Sequence, residues 1–274
     1  MINWETININ NDSTLTLANN LTLGGASADL TATLNVNATL FARNENTVIQ
    51  ANRGLALLNN AGLINLSSSQ ANHALTIRGN YVGAGGTLEI NSVVNGDDSP
   101  ADKLVIDGKN IGSSAVGNTR VIVNNFGGTG AFTSKGILVI EAINKATTAN
   151  GAISLVAPLR VGIFDYRLLK GGSIPADATT QQNWYLSSTF TPNPSPTPPS
   201  PTPSTGAAAS QNLLPIVGPE LSVFGSVLPT AMSLDRVTLG TLKDRVGDEI
   251  CLLTNPEQSE TRFGNSGKLL SWRF

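Results

Sequence analysis

From residue 6 to about 95 the chain is a string of short segments in which Leu, Ile and Val alternate with Thr, Asn and Ser. Examples are Thr14-Leu-Thr-Leu17, Leu21-Thr-Leu23, Leu30-Thr-Ala-Thr-Leu-Asn-Val36, Leu63-Ile-Asn-Leu66, Leu75-Thr-Ile77 and Thr87-Leu-Glu-Ile90. A period of two predicts strands with one buried face. The gaps hold Asn-Asn, Gly-Gly, Asn-Gly or Ala-Asn, which tolerate positive φ and turn tightly. Helical spacing is absent here. Stronger strands follow at Lys103-Leu-Val-Ile-Asp107, Arg120-Val-Ile-Val-Asn124, Ile137-Leu-Val-Ile-Glu141, Ile153-Ser-Leu-Val156 and Phe164-Asp-Tyr-Arg-Leu-Leu169, and Asn183-Trp-Tyr-Leu-Ser187 closes the region.

Strands this short, with few aromatics and short turns, suit a solenoid better than a sandwich. The expected fold is all-β, a right-handed parallel β-helix in which like faces stack coil on coil. Small aliphatic side chains would form internal ladders. Asn at the corners, as in Asn19-Asn20, Asn59-Asn60 and Asn124-Asn125, would stack into amide ladders. At roughly 20 residues per coil, residues 6–188 make about nine coils. The aromatics gathered near the end of this region read as a cap over the last coil, with Trp184 and Tyr185 as its covering residues.

Beyond it, residues 192–203 contain seven of the chain's 14 prolines. Such a run favours polyproline II and reaches about 37 Å at ~3.1 Å per residue. No basic anchor flanks it, so it reads as a spacer and not as an SH3 or WW ligand. The period then changes. Leu221, Phe224, Leu228, Met232, Leu239, Leu242 and Val246 fall on one helical stripe, which Pro229 would kink or split. That stripe needs a partner surface.

Composition narrows the function classes. Of 274 residues 13% are charged, 40% hydrophobic and 5% aromatic, and 17 basic against 19 acidic side chains leave a net charge of −2. A nucleic-acid binder would show a basic footprint. One Cys and one His cannot make an internal disulfide or a Cys/His zinc cluster. The start, Met1-Ile-Asn-Trp4, has no basic leader and no apolar h-region, so no signal peptide is expected, and no run of apolar residues is long enough for a transmembrane helix.

Several motifs, in order, resemble a known family. Gly79-Asn-Tyr-Val82, Gly86-Thr-Leu-Glu-Ile90, Gly96-Asp-Asp-Ser-Pro100, Asp102-Lys-Leu-Val-Ile-Asp-Gly108, Thr119-Arg-Val-Ile-Val-Asn-Asn125, Gly136-Ile-Leu-Val-Ile140, Ala152-Ile-Ser-Leu155, Gly162-Ile-Phe-Asp-Tyr-Arg-Leu168 and Asn183-Trp-Tyr-Leu186 resemble the C-terminal, autochaperone part of the pertactin-like passenger of bacterial autotransporters. The proline-rich spacer and the stretch from Pro219 to Gly247 resemble the linker into a translocator β-barrel. The resemblance covers about 79–249, and residues 1–78 match in style alone. It implies a passenger carried across the outer membrane through a C-terminal barrel, whose last coils fold first and template the rest. It implies a cell-surface or outer-membrane location for the intact family member, and the barrel and host surface ligands as partners of a monomer.

The expected organisation is 1–78 as stem coils, 79–190 as autochaperone cap, 191–212 as linker, 213–249 as amphipathic helical linker and 250–274 as an atypical tail. That tail lacks barrel strands and holds Cys251. The chain therefore reads as a passenger fragment.

No residue stands out as catalytic, cofactor-binding or metal-ligating, and no cofactor is expected. His73, in Gln70-Ala-Asn-His-Ala74, reads as a turn or surface residue and not as a catalytic base. Asp97, Asp98, Asp102 and Asp107 read as a solvated turn, since Pro100 and Lys103 interrupt any calcium spacing. Gly83-Ala-Gly-Gly86 and Gly127-Gly-Thr-Gly130 read as strand turns, because no helix follows to bind a phosphate. Asn37-Ala-Thr39 is a sequon expected by chance in an Asn- and Thr-rich chain. The leading functional reading is a non-enzymatic stem and folding nucleus. An adhesin-type binding module is the alternative, and a polysaccharide-active β-helix enzyme the second alternative, disfavoured by the low charge density.

Overall fold

The computed structural model describes residues 4–10, 12–24, 32–172, 180–191 and 213–219, and, further on, residues 227, 229, 231–234, 259–262 and 269–272. The chain divides into two compact units, 1–218 and 219–274. The first unit is a parallel β-helix with three stacked faces.

Its first coil is β1 (Thr6–Ile9), β2 (Thr14–Thr16) and β3 (Leu21–Leu23), and its second is β4 (Ala32–Val36), β5 (Thr39–Phe41) and β6 (Asn46–Ala51). Then come β7 (Ala56–Asn60), β8 (Leu63–Asn65) and the long β9 (Ala74–Ser92), which passes through all three faces without a break. Next are β10 (Lys103–Asp107), β11 (Ser113–Asn125), β12 (Ile137–Ile143), β13 (Ala146–Thr148) and β14 (Ile153–Leu155).

Register makes the stacking explicit. On the first face Ile7 pairs with Leu34, Leu34 with Leu58, Leu58 with Tyr81, Tyr81 with Ala115 and Ala115 with Thr148, all parallel. On the second, the column is Leu15, Leu40, Ile64, Leu88, Val121 and Leu155. On the third it is Leu21, Ile49, Ile77, Ile106 and Ala142. These side chains point inward. Leu34, Leu40, Leu58, Ile49, Ile64, Ile77, Leu88 and Ile106 are fully buried. The alternation with Thr and Asn works because each inward aliphatic residue sits on the like residue of the next coil, about 4.8 Å away.

The pitch departs from the expected 20 residues. Along the first column the steps are 27, 24, 23, 34 and 33 residues, so the solenoid is six layers deep there. The extra length enters mainly at the corner between the second and third faces, where the connections 93–102 and 126–136 replace the four residues between β5 and β6. Amide ladders are present both at a corner, where Asn37 Nδ2 donates to Asn10 Oδ1 at 2.8 Å between the first and second faces, and along a strand face. Asn35 Nδ2 donates to Asn8 Oδ1 at 2.6 Å, and Asn59 Nδ2 to Asn35 Oδ1 at 2.7 Å. Gly83 to Gly86 lie inside β9, where it bends from the first face to the second, and Gly127 and Gly130 take positive φ in the corner after β11.

The chain then reverses. β15 (Leu159–Val161) and β16 (Phe164–Lys170) form a hairpin, and β17 (Trp184–Ser187) runs antiparallel to both β16 and β12. β18 (Thr189–Phe190) pairs with β19 (Leu214–Pro215). Hence Phe190 and Leu214, at the two ends of the proline-rich stretch, are direct neighbours, and the strand at 214–215 belongs to the first unit. Residues 192–212 themselves lie outside the described residues.

Of the second unit, residues 231–234 are helical, with Met232 and Leu234 exposed. β20 (Ser259–Arg262) and β21 (Leu269–Trp272) pair antiparallel. Most of the apolar stripe expected over 213–249, and Cys251, lie outside the described residues. No described helix is long and apolar enough to cross a membrane.

Candidate functional site: the pinned corner and capped end

The lengthened corner loops are stitched together by polar side chains, buried except for Asp97, and those stitches run from β9 to the cap. The first is Asp102, which is fully buried. Its Oδ1 accepts the N–H groups of Asn72 at 3.0 Å and His73 at 2.8 Å, and its Oδ2 accepts that of Asn91 at 2.8 Å. His73 Nδ1 lies 3.1 Å from the same carboxylate. Asn91 Nδ2 in turn donates to the carbonyls of Ser68 and Gln70. A carboxylate taken from water needs such a full set of donors. Three stretches of chain far apart in sequence thereby share one anchor.

The second stitch is Asp97. It accepts the N–H groups of Ser134, Lys135 and Gly136 at 2.7–3.0 Å. Asp98 beside it makes an exposed pair with Lys135 at 3.1 Å, which holds the lysine pKa above its ordinary value. The third is Tyr166. Its hydroxyl sits 2.7 Å from the Asn95 carbonyl and 2.9 Å from that of Ala131, and it accepts the Ala131 N–H at 2.8 Å. Burial pushes this phenol upward. The fourth is a hydroxyl cluster. Thr133 N–H donates to Ser188 Oγ at 3.0 Å, Ser188 N–H to Thr133 Oγ1 at 2.9 Å, and Thr189 Oγ1 to the Thr133 carbonyl at 2.7 Å. All three residues are fully buried.

The cap seals the third face. Ile140 pairs with Trp184 and Ile137 with Leu186 across the antiparallel edge. Trp184 Nε1 donates to Thr148 Oγ1 at 3.0 Å, so the indole closes the end of the first column as well. Trp184 and Tyr185 are buried, in the covering position expected of them. At the other end of the unit the third face differs, since among the described residues β3 pairs with β6 alone. Among those residues β1 and β2 also have a single strand partner each.

Several sequence-derived assignments change. His73 is in a turn but only 5% exposed, because it caps the buried Asp102. The four aspartates are not one solvated turn. Asp102 and Asp107 are buried, the latter paired with Arg78 at 3.4 Å, and Asp97 and Asp98 bind the next corner loop. Among the described residues no three His, Cys, Asp or Glu side chains converge on a metal-sized space.

One arrangement invites a catalytic reading. Ser68 Oγ lies 3.3 Å from His73 Nε2, and Asp102 lies behind Nδ1. Yet Ser68 Oγ is also 3.4 Å from Nδ1. An oxygen nearly equidistant from both ring nitrogens sits over the ring face, since the ring carbon between them blocks the plane. The Nε2 lone pair lies in the ring plane and does not point at it, so this set lacks the hydrogen bond by which a histidine activates a serine.

The polar stitches were missed in the sequence. Asp102 could have been suspected from its place directly before a strand and after Pro100-Ala101. Thr133 and Ser188 carry no local signal, as their meaning lies in contacts more than 50 residues apart.

A family model described as Autochaperone Domain Type 1 matches residues 53–168. This span contains Asp102, Asp97 and Tyr166. The chain is similar to the "Adhesin BmaC autotransporter" of Brucella suis, 33% identical over 201 residues, which cover 70% of this chain and 5% of that protein. It is similar to two proteins of Escherichia coli. One is the "Uncharacterized protein YuaQ", at 42% over 130 residues, 47% of this chain and 9% of that protein. The other is the "Probable autotransporter YfaL", at 36% over 136 residues, 48% of this chain and 10% of that protein. The chain thus spans a tenth or less of the length of these three relatives.

Proposed function

Because residues 53–168 are the autochaperone region of an autotransporter passenger, we propose that this chain acts as a non-enzymatic folding nucleus, on which the rest of a β-helical stem is built one coil at a time. The supporting observation is the asymmetry of the first unit. On the third face of its last coil β17 runs antiparallel to β12 and is backed by β16, and Gln182 and Trp184 bond to Thr148 at the end of the first face, whereas among the described residues the strands of its first coil pair with the second coil alone. Parallel pairing is slow to nucleate, because the closing contacts are distant in sequence. A preformed, pinned coil removes that step, and its unpaired edge guides the next coil into register.

The intact protein would then sit at the outer membrane or cell surface, joined to a translocator barrel, and present its stem as a monomer. Refolding of the full chain with pulsed amide exchange tests the nucleus. Protection should appear first in β10, β11, β12 and β17 and last in β1 to β3. Early protection of β1 to β3 would end the proposal.

An adhesin role for the stem is a second reading, prompted by the name of the Brucella suis relative. Binding to host cells or matrix by the purified chain would favour it, and no binding above a scrambled-sequence control would remove it.

A further inference from the structure

The segment after the proline-rich stretch returns to the cap and lies between two of its strands. Ile216 N–H donates to the Ser188 carbonyl at 2.6 Å on one side. On the other side the Ile216 carbonyl accepts the Asp165 N–H, and Gly218 N–H donates to the Ile163 carbonyl, both at 3.0 Å. Phe164 and Val217 form an antiparallel bridge, and Thr189 and Phe190 pair with Pro215 and Leu214. Ile216 is 7% exposed, whereas Leu214 and Val217 on either side are 43% and 37% exposed. One side chain is thus inserted and its neighbours stay at the rim. Behind the inserted strand lies the buried cluster of Thr133, Ser187, Ser188 and Thr189.

We propose that the cleft between Ile163–Asp165 and Ser188–Phe190 is a strand-acceptor site, and that Leu214 to Gly218 is its ligand. The chemistry it selects is an extended peptide with one buried aliphatic side chain and a free N–H at that residue. Pro215 satisfies it, because the bonds to Ser188 and Ile163 come from Ile216 and Gly218 and need no donor at 215. This is recognition by strand addition, with main-chain bonds giving affinity and one pocket giving selectivity. The occupant arrives only after residues 192–212, so the cap is completed by chain beyond the proline-rich stretch. The proposal stands apart from the nucleus reading, since a strand could fill this cleft whichever coil folds first.

Amide exchange in the intact, folded chain tests it. The N–H groups of Asp165, Ile216 and Gly218 are expected to be slowed. In an Ile216→Asp variant Asp165 and Gly218 should exchange at least tenfold faster, while the β4–β7 ladder keeps its protection. Unprotected exchange of the three amides in the unaltered chain overturns the proposal, and so does unchanged protection of Asp165 in the variant. Should Ile216→Asp fail to fold, Ile216→Ala, which only shortens the inserted side chain, is read in the same way and with the same overturning result.

Discussion

Asp102 is fully shielded from water and yet lies 3.1 Å from His73 Nδ1, with three backbone N–H groups on its two oxygens. This pair fastens the loop before β9 to the loop before β10. An amide in place of the carboxylate would keep one acceptor and turn an NH2 toward N–H donors. Leaving buried donors unpaired costs about 1–3 kcal/mol, and more when a charged partner is involved. Asp102→Asn should lower the urea midpoint by the equivalent of roughly 3 kcal/mol. Asp98→Asn removes an exposed ion pair whose carboxylate is 74% exposed, and should change stability by less than about 1 kcal/mol. Equal effects of the two substitutions would show that Asp102 is no anchor.

The phenols of Tyr81 and Tyr166 give the fold an alkaline limit. Burial raises both above the ordinary value of 10.0, while Thr119 and Asn60 partly offset this for Tyr81, and the bond to Ala131 partly offsets it for Tyr166. The folded chain therefore holds these protons more tightly than the unfolded chain. Their contribution is complete below pH ~10 and is lost as pH rises from there through the raised folded values. Stability should be level in this respect up to about pH 10 and fall beyond it. Tyr81→Phe should make that fall shallower. A decline of the same steepness in Tyr81→Phe would assign it to other groups.

At the bend of β9 against β11, two glycines face each other. Gly117 has φ +89, and a Cβ on it would lie 2.1 Å from the Gly83 carbonyl oxygen. That backbone cannot move without breaking the pairing of Gly83 with Gly117. Gly85 has a similar φ of +83 but nothing within 4 Å of a Cβ. Gly85→Ala should cost only the positive-φ strain, about 1–2 kcal/mol. Gly117→Ala should cost well beyond that and leave little folded protein, as judged by circular dichroism and yield. Similar tolerance at both positions would refute the steric account.

Much of this architecture is legible in the residues, because a β-helix repeats its local rule. The alternation in Leu21-Thr-Leu23 or Leu75-Thr-Ile77 marks inward and outward positions directly, and both segments lie in the buried third-face column. Trp184 stands out as an aromatic in a chain poor in them, and it covers the last coil. The pitch is not legible, since corner loops such as 93–102 obey no period. Nor is the burial of His73 and Asp102, which depends on a contact 29 residues apart in sequence. The return of Ile216 to the cap was hidden by the prolines, which mark a local break in structure and say nothing of where the chain goes afterwards.

Kinetics distinguish the two ends of the solenoid. Leu23, in the first coil, and Ile140, which pairs with Trp184 under the cap, are both fully buried. Truncating either to alanine removes a similar volume and should cost about 2–5 kcal/mol at equilibrium. If the capped end forms first, the loss at Ile140 falls on the folding rate and the loss at Leu23 on the unfolding rate. A cost of ~3 kcal/mol then means a folding rate lower by about a hundredfold in Ile140→Ala, with unfolding nearly unchanged. Leu23→Ala should show the reverse, with near-normal folding and unfolding faster by a similar factor. Stopped-flow refolding and unfolding in urea reads both limbs in one experiment. If Leu23→Ala slows folding while Ile140→Ala only speeds unfolding, growth starts at the open end and the templating direction is inverted.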